Sequence, residues 1–195
     1  MKFIKKALCS NIFLIILSMM MSIMPSHAEI GRKTPSLDGS VSAGPYYNPA
    51  SKSYFELFKL KPGQKASRWG QANELAQKHL FRTTQGRLAV IKDLATHQFI
   101  LRNFKALNFW IGLQYFCGTQ TLKWVDEDTI SETDFTAWAY QWARTDVRCG
   151  GHGYMPVSYT RNIKTNASSS ATRWQATGSN KGFVYYLVEY TTGKE

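Results

Sequence analysis

Acidic residues are scarce in this chain: 13 Asp and Glu stand against 24 Lys and Arg, a net charge of +11. The cations are scattered, however, with no run of five or six. No nucleic-acid partner is expected, and the expectation is a solvated basic surface or attraction to anionic partners. Histidines are few and distant. His79, His97 and His152 form no His-x-x-x-His or His-Glu-x-x-His pattern, so no zinc site of that kind is expected. Gly-x-Ser-x-Gly, P-loop and dinucleotide fingerprints are also missing. Cysteine occurs three times, as Cys9, Cys117 and Cys149.

What is present begins with an address. Lys2, Lys5 and Lys6 precede the apolar stretch from Leu8 to Met24, and Pro25-Ser26-His27-Ala28 offers small residues for cleavage before Glu29. Residues 1–28 read as a signal peptide, the competing reading being a retained anchor. Without them, 167 residues remain with a net charge of +8, enough for one domain with a core. The expected location is the periplasm or the exterior, with membrane contact only through the uncleaved signal peptide. Cys117 and Cys149 then form a disulfide in the simplest case, or else remain two buried thiols. The pairing leaves no thiol for a Cys/His nucleophile.

Residues 29–52, rich in Gly, Pro and Ser, read as a leader or linker in which Tyr46-Tyr47 could pack on the domain. A first strand is expected over 53–60, ended by Pro62-Gly63. Ser67 is a candidate N-cap for a helix over 68–80, with Trp69, Ala72, Leu75, Ala76 and Leu80 on one face. Thr96 could cap a second helix that turns Phe99, Ile100 and Phe104 inward. His79 and His97 are expected at the surface of these helices. Asn108–Phe116 is the most apolar run outside the first thirty residues. It suits a strand buried on both faces, with Gly112 marking a bulge or a close backbone approach. A turn at 117–119 leads to a strand around Trp124. Residues 126–173 are long, polar and turn-rich, with short pieces at 135–142 and 154–160 that could be ordered. Regular structure returns at Trp174 and in the strand-like run 183–190.

The order of motifs resembles the C-type lectin-like domain. The resemblance is carried by Trp69 with Ala72-x-x-x-Ala76, Gly86-x-Leu88-Ala89-x-Ile91, Phe99, Trp110-Ile111-Gly112-Leu113, Trp124-x-Asp126, Trp174 and a final Val188-Glu189 strand. It spans about 53–192. It implies an α+β fold: two helices flanking small antiparallel sheets, first and last strands paired, and a long irregular loop projecting from the middle. It also implies a non-enzymatic carbohydrate-binding or adhesion module. Calcium-dependent members carry Glu-Pro-Asn or Gln-Pro-Asp in the loop and Asn-Asp after the Trp of the next strand. Here Gln175-Ala176 follows Trp174 and the loop holds only Pro156. The expectation is therefore no metal and no cofactor, because Ala lacks a ligand oxygen. Asp126 is read as a turn residue, with Glu127 where the family has Gly.

The loop mixes aromatics with cations, which suits stacking on sugars or protein hot spots. The candidate ligand contacts are Trp142, Arg144, Asp146, Arg148, His152, Tyr154, Arg161 and Asn162. Trp138 is assigned to the loop's own small core, and Trp142, Arg144 and Tyr154 fit either role. The expected partner is a glycan or glycosylated surface, the alternative a protein receptor. A third possibility is an exported polysaccharide hydrolase using carboxylates among Asp126, Glu127, Asp128, Glu132 and Asp134. A non-standard calcium site in that cluster is the other sharp reading, against a solvated acidic loop.

Overall fold

A computed structural model of the chain describes residues 39–62, 65, 67–106, 108–139, 149, 153–161 and 172–195. Two strands open the domain, β1 (Gly39–Asn48) and β2 (Ser53–Leu60), followed by α1 (Trp69–Lys78). Three short pieces come next, β3 (Leu80–Phe81), β4 (Thr84–Gln85) and β5 (Arg87–Leu88), then α2 (Leu94–Asn103). The remainder is β6 (Asn108–Phe116), β7 (Thr121–Trp124), β8 (Tyr154–Arg161), β9 (Thr172–Ala176) and β10 (Tyr185–Tyr190). The large sheet runs β1-β2-β10-β6-β8-β9, with β5 beside β10 and β7 beside β6; β3 and β4 form a separate hairpin.

Strand β2 pairs antiparallel with β10 from Tyr54↔Tyr190 to Lys59↔Tyr185, so the expected pairing of first and last domain strands is present. Side chains alternate across each strand, and here both faces are apolar. Phe55 and Leu57, Ile111 and Leu113, and Leu187 enter one core with Ile100, Phe104, Trp124 and Trp174. Phe58, Trp110, Tyr186, Val188 and Tyr190 enter a second core with Trp69, Ala72 and Ala76. One helix thus covers each face. A sheet covered on both sides demands runs of large apolar residues rather than strict alternation with polar ones, as in β6 and β10.

Several expectations need correction. Within the stretch read as a leader, Gly39–Asn48 is a strand that pairs with β2. An edge strand partly open to solvent needs little apolar patterning, because its backbone bonds rather than its side chains hold it. Tyr46 and Tyr47 pack on Phe104 and Tyr54, at centroid distances of 5.6 and 5.1 Å. Ser67 does not cap α1: its hydroxyl donates to the Phe183 carbonyl at 3.1 Å, and Arg68 takes the cap position. Helix α1 stops at Lys78, and Leu80 is exposed. Thr96 does not cap α2 either. Asp93 does, accepting from the Thr96 amide at 2.7 Å and the Thr96 hydroxyl at 2.8 Å. His79 is buried against Phe58, its Nε2 2.9 Å from the Tyr186 hydroxyl, and His97 is half-buried.

Candidate functional site

The root of the long loop is built by β6, β8 and β9. Strand β8 lies antiparallel to β6, and β9 to β8. Alternation along β9 sends Trp174 inward and leaves Arg173 and Gln175 exposed. Trp174 is fully buried, and Trp124, Phe135 and Trp138 meet its ring nearly edge-on at 5.5, 5.8 and 5.6 Å. Backbone bonds complete the anchor: Ala139 N–H donates to the Trp174 carbonyl at 2.9 Å, and Trp174 N–H to Ala137 at 2.7 Å. The outgoing limb of the loop is thereby held on the domain core. Trp138, assigned from the sequence to a small core of the loop, is partly buried against the domain core.

A second tether is covalent. Cys117, at the end of β6, is bonded to Cys149, with Cα atoms 6.1 Å apart. The Cys117 amide donates to the Gly153 carbonyl at 3.0 Å, just before β8 begins. The segment between Ala139 and Tyr154 is therefore attached near both ends. On the way into β8, Tyr154 is half-buried between Trp69 and Phe116, each 6.4 Å away.

Below the root, Tyr159 is fully buried, stacked on Phe109 at 4.9 Å, with its hydroxyl 2.8 Å from His97 Nδ1. Burial pushes the tyrosine pKa up, so the phenol keeps its proton, and its hydroxyl shares this hydrogen bond with the imidazole. Burial, then the Arg173 charge, holds the His97 pKa below its ordinary value.

The acidic loop after β7 forms the rim of a cleft of about 310 Å³, lined by Lys92, Trp124, Asp128, Ile130, Asp134 and Phe135 among others. Four of its carboxylates, Asp126, Glu127, Asp128 and Asp134, have partners. Lys92 Nζ donates to Asp126 Oδ2 at 2.8 Å and to Asp128, and Arg87 lies 3.5 Å from Asp126. Burial works against the Lys92 charge, but Asp126 and Asp128 outweigh it and raise its pKa. Lys123 pairs with Glu127. Asp134 accepts from the Ser131 amide at 2.7 Å, which keeps its carboxyl below the ordinary range. Asp126 Oδ1 also accepts from the Asp128 amide at 3.3 Å. These contacts make the cluster a braced turn. Among the described residues, no group of three or more His, Cys, Asp or Glu could hold a metal ion.

The family described as "Lectin C-type domain" matches residues 65–185. The chain belongs to the C-type lectin domain family. No curated protein matches the chain. Solved structures to which the chain shows similarity include the C-type lectin CEL-I from Cucumaria echinata: 13% identity, TM-score 0.48, covering 80% of this chain and 96% of that one. The cow CD23 carbohydrate-recognition domain, solved in the presence of GlcNAc2Man3 oligosaccharide, shows 16% identity and a TM-score of 0.49, covering 82% and 96%. A variant of human REG IV protein shows 18% identity and a TM-score of 0.45, covering 77% and 98%.

In this C-type lectin domain, most of the candidate ligand contacts lie outside the described residues: Trp142, Arg144, Asp146, Arg148, His152 and Asn162, with the Arg161 side chain. Tyr154 is described and sits at the loop root. Tyr159 is core. Among the described residues, no helix is long and apolar enough to cross a membrane. Sequence reasoning missed the role of Trp174 as the centre of an aromatic cluster. It also missed Glu189, which is buried and accepts from Arg87 Nε and the Val90 amide, each at 3.1 Å. The signal for Glu189 was an acid inside an apolar strand, which requires a partner when buried.

Proposed function

We propose that this protein is an exported, non-enzymatic C-type lectin domain that binds a glycan or glycosylated surface without calcium, through the loop between Ala139 and β9. The observation that carries the reading is β9 itself. Where calcium-dependent members present two oxygen-bearing side chains after the Trp, this strand presents an exposed Gln175 and an Ala176 without a ligand atom. A hard cation needs six to eight oxygens, and three carboxylates of the acidic cluster nearby, Asp126, Glu127 and Asp128, are engaged by Lys92, Arg87 and Lys123. Those ion pairs weigh against Asp126, Glu127 or Asp128 as the proton-donating carboxyl of a hydrolase. The loop, tethered at Cys117–Cys149 and on Trp174, supplies aromatic and cationic side chains suited to sugar faces and their acidic substituents.

The test is a glycan array run with calcium and with chelator, followed by Trp142→Ala, Arg144→Ala and Tyr154→Ala on the best ligand. Equal binding in both conditions and loss in the variants is the expected result. Binding abolished by chelator, or affinity unchanged in all three variants, overturns the reading. New reducing ends on a polysaccharide panel would favour the hydrolase instead.

A further inference from the structure

Charge in this domain is segregated. Five of the 13 acids fall within residues 126–134, where Arg87, Lys92 and Lys123 pair with them. The far end of β2 has the opposite character. There the chain leaves β2 for α1 and is stitched to the segment before β10. Leu60 N–H donates to Val184 at 2.8 Å, and Ser67 and Phe183 exchange backbone bonds of 2.9 and 3.0 Å. Trp110 Nε1 donates to the Ser67 carbonyl at 2.8 Å, locking the seam to β6. Neither residues 57–73 nor residues 175–188 contain an Asp or Glu.

Along this seam Lys59, Lys65, Arg68 and Lys181 are all exposed, and none joins an ion pair among the described residues. Lys59 Nζ stands 5.7 Å above the Tyr185 ring, and Lys181 Nζ 6.0 Å above Phe183. These contacts orient two ammonium groups outward without neutralising them. Helix α1 also starts here with no acid in its first turn, so its positive end adds to the same field.

We propose that this seam is a second interaction surface, which binds an acidic polysaccharide bearing sulfate, carboxylate or phosphate groups. It goes beyond the loop site proposed above and does not depend on it. Four cations spread over two bonded segments match a chain of spaced anions better than one compact anion. The rings beneath Lys59 and Lys181 are partly buried and capped by the ammoniums, which leaves poor stacking platforms for bases. Among the described residues there, Val184 is the one exposed large hydrophobic side chain, at 39%, too little to enter a bilayer.

Binding of the purified protein to dextran sulfate, with unmodified dextran as blank, tests this. With four cations engaged, raising salt from 50 to 200 mM weakens binding about 100-fold. The triple variant Lys59→Gln/Lys65→Gln/Lys181→Gln is expected to bind at least about tenfold more weakly at 50 mM salt, with a response to salt of only about threefold. The control Lys52→Gln/Lys105→Gln/Lys194→Gln removes the same charge. Lys52 lies at the other end of β2, about 25 Å away at 3.3 Å per residue, and the control is expected to bind like wild type. Replacing the three seam lysines by Arg should retain binding. Equal loss in both Gln triples means diffuse net charge and overturns the proposal, as does no loss in the seam variant. Seam-dependent binding of single-stranded DNA or phosphatidylglycerol vesicles tighter than dextran sulfate overturns the assignment to polysaccharide. A smaller loss of dextran sulfate binding in Trp142→Ala than in the seam triple separates this surface from the loop site, and an equal or larger loss overturns the proposal.

Discussion

Replacing Gly112 by Ala tests the central packing of the domain. A Cβ at this position would lie 2.7 Å from the Leu88 carbonyl oxygen, 2.7 Å from Val125 Cγ2 and 3.2 Å from the Ala89 carbonyl oxygen. Carbon atoms at optimal separation stand about 3.5–4.0 Å apart, so the two closest neighbours must retreat by several tenths of an ångström. The backbone there has little freedom. Gly112 N–H donates to Ala89 at 2.8 Å, Val125 N–H to Gly112 at 2.8 Å, and Ala89 N–H to Leu187 at 2.9 Å. Moving any one strains the link between β5, β6 and β10. Overpacking a core costs about 1–3 kcal/mol, and rigid backbone neighbours put this case at the upper end. The lower entropy of unfolded Ala offsets about 0.5–1 kcal/mol, leaving a net loss of about 2 kcal/mol. At a urea slope of about 2 kcal/mol per M, the tryptophan-fluorescence midpoint falls by about 1 M. Gly118 has no neighbour within 4 Å of a built Cβ, so Gly118→Ala should leave the midpoint nearly unchanged. A Gly112→Ala midpoint within about 0.2 M of wild type, about a fifth of the shift expected from that slope, or no separation between the two variants, would refute the reasoning.

Three further outcomes follow from named contacts. Glu127 occupies φ +74° where the family has Gly; Glu127→Gly relieves about 1–2 kcal/mol of left-handed strain, less the small worth of the exposed Lys123 pair and the added chain entropy of Gly, so a modest rise in Tm is expected and a fall would contradict it. Cys117 and Cys149 close a loop of 32 residues, so reduction should destabilise the domain by about 3–4 kcal/mol in the chain-entropy model, measured as urea midpoints with and without dithiothreitol; a loss under about 1 kcal/mol would refute that model here. The lowered His97 pKa means that the unfolded chain takes up a proton which folded His97 resists. Its contribution to stability is full above the unfolded value of about 6.5 and falls as the pH drops below it. His97→Gln should therefore lose less Tm than wild type between pH 7.5 and 5, and identical profiles would count against it.

Much of the fold was readable because its elements are large and apolar. Asn108–Phe116 announced a strand buried on both faces, and the order of Trp, Gly and Ala motifs matched the family that residues 65–185 now confirm. The helix caps were misplaced because Ser67 and Thr96 are good cap residues by local chemistry. Their hydroxyls were claimed instead by Phe183, 116 residues away, and by Asp93 and Asn48. Strand β1 escaped notice because Gly, Ser and Pro carry no side-chain pattern, and only its pairing with β2 makes it a strand.

The sequence by itself determined the family scaffold, the excess of cations and the lack of a second ligand oxygen after Trp174. These are properties of residue type and order, and they survive any arrangement in space. Tertiary structure decided which charges meet. Lys92, far from Asp126 and Asp128 along the chain, closes the acidic turn, while Lys181 is brought beside the Lys59–Arg68 segment by the Ser67–Phe183 bridge. Electrostatic character depends on distance through space, so a basic composition became a paired acidic corner and an open basic seam only once the strands were in register.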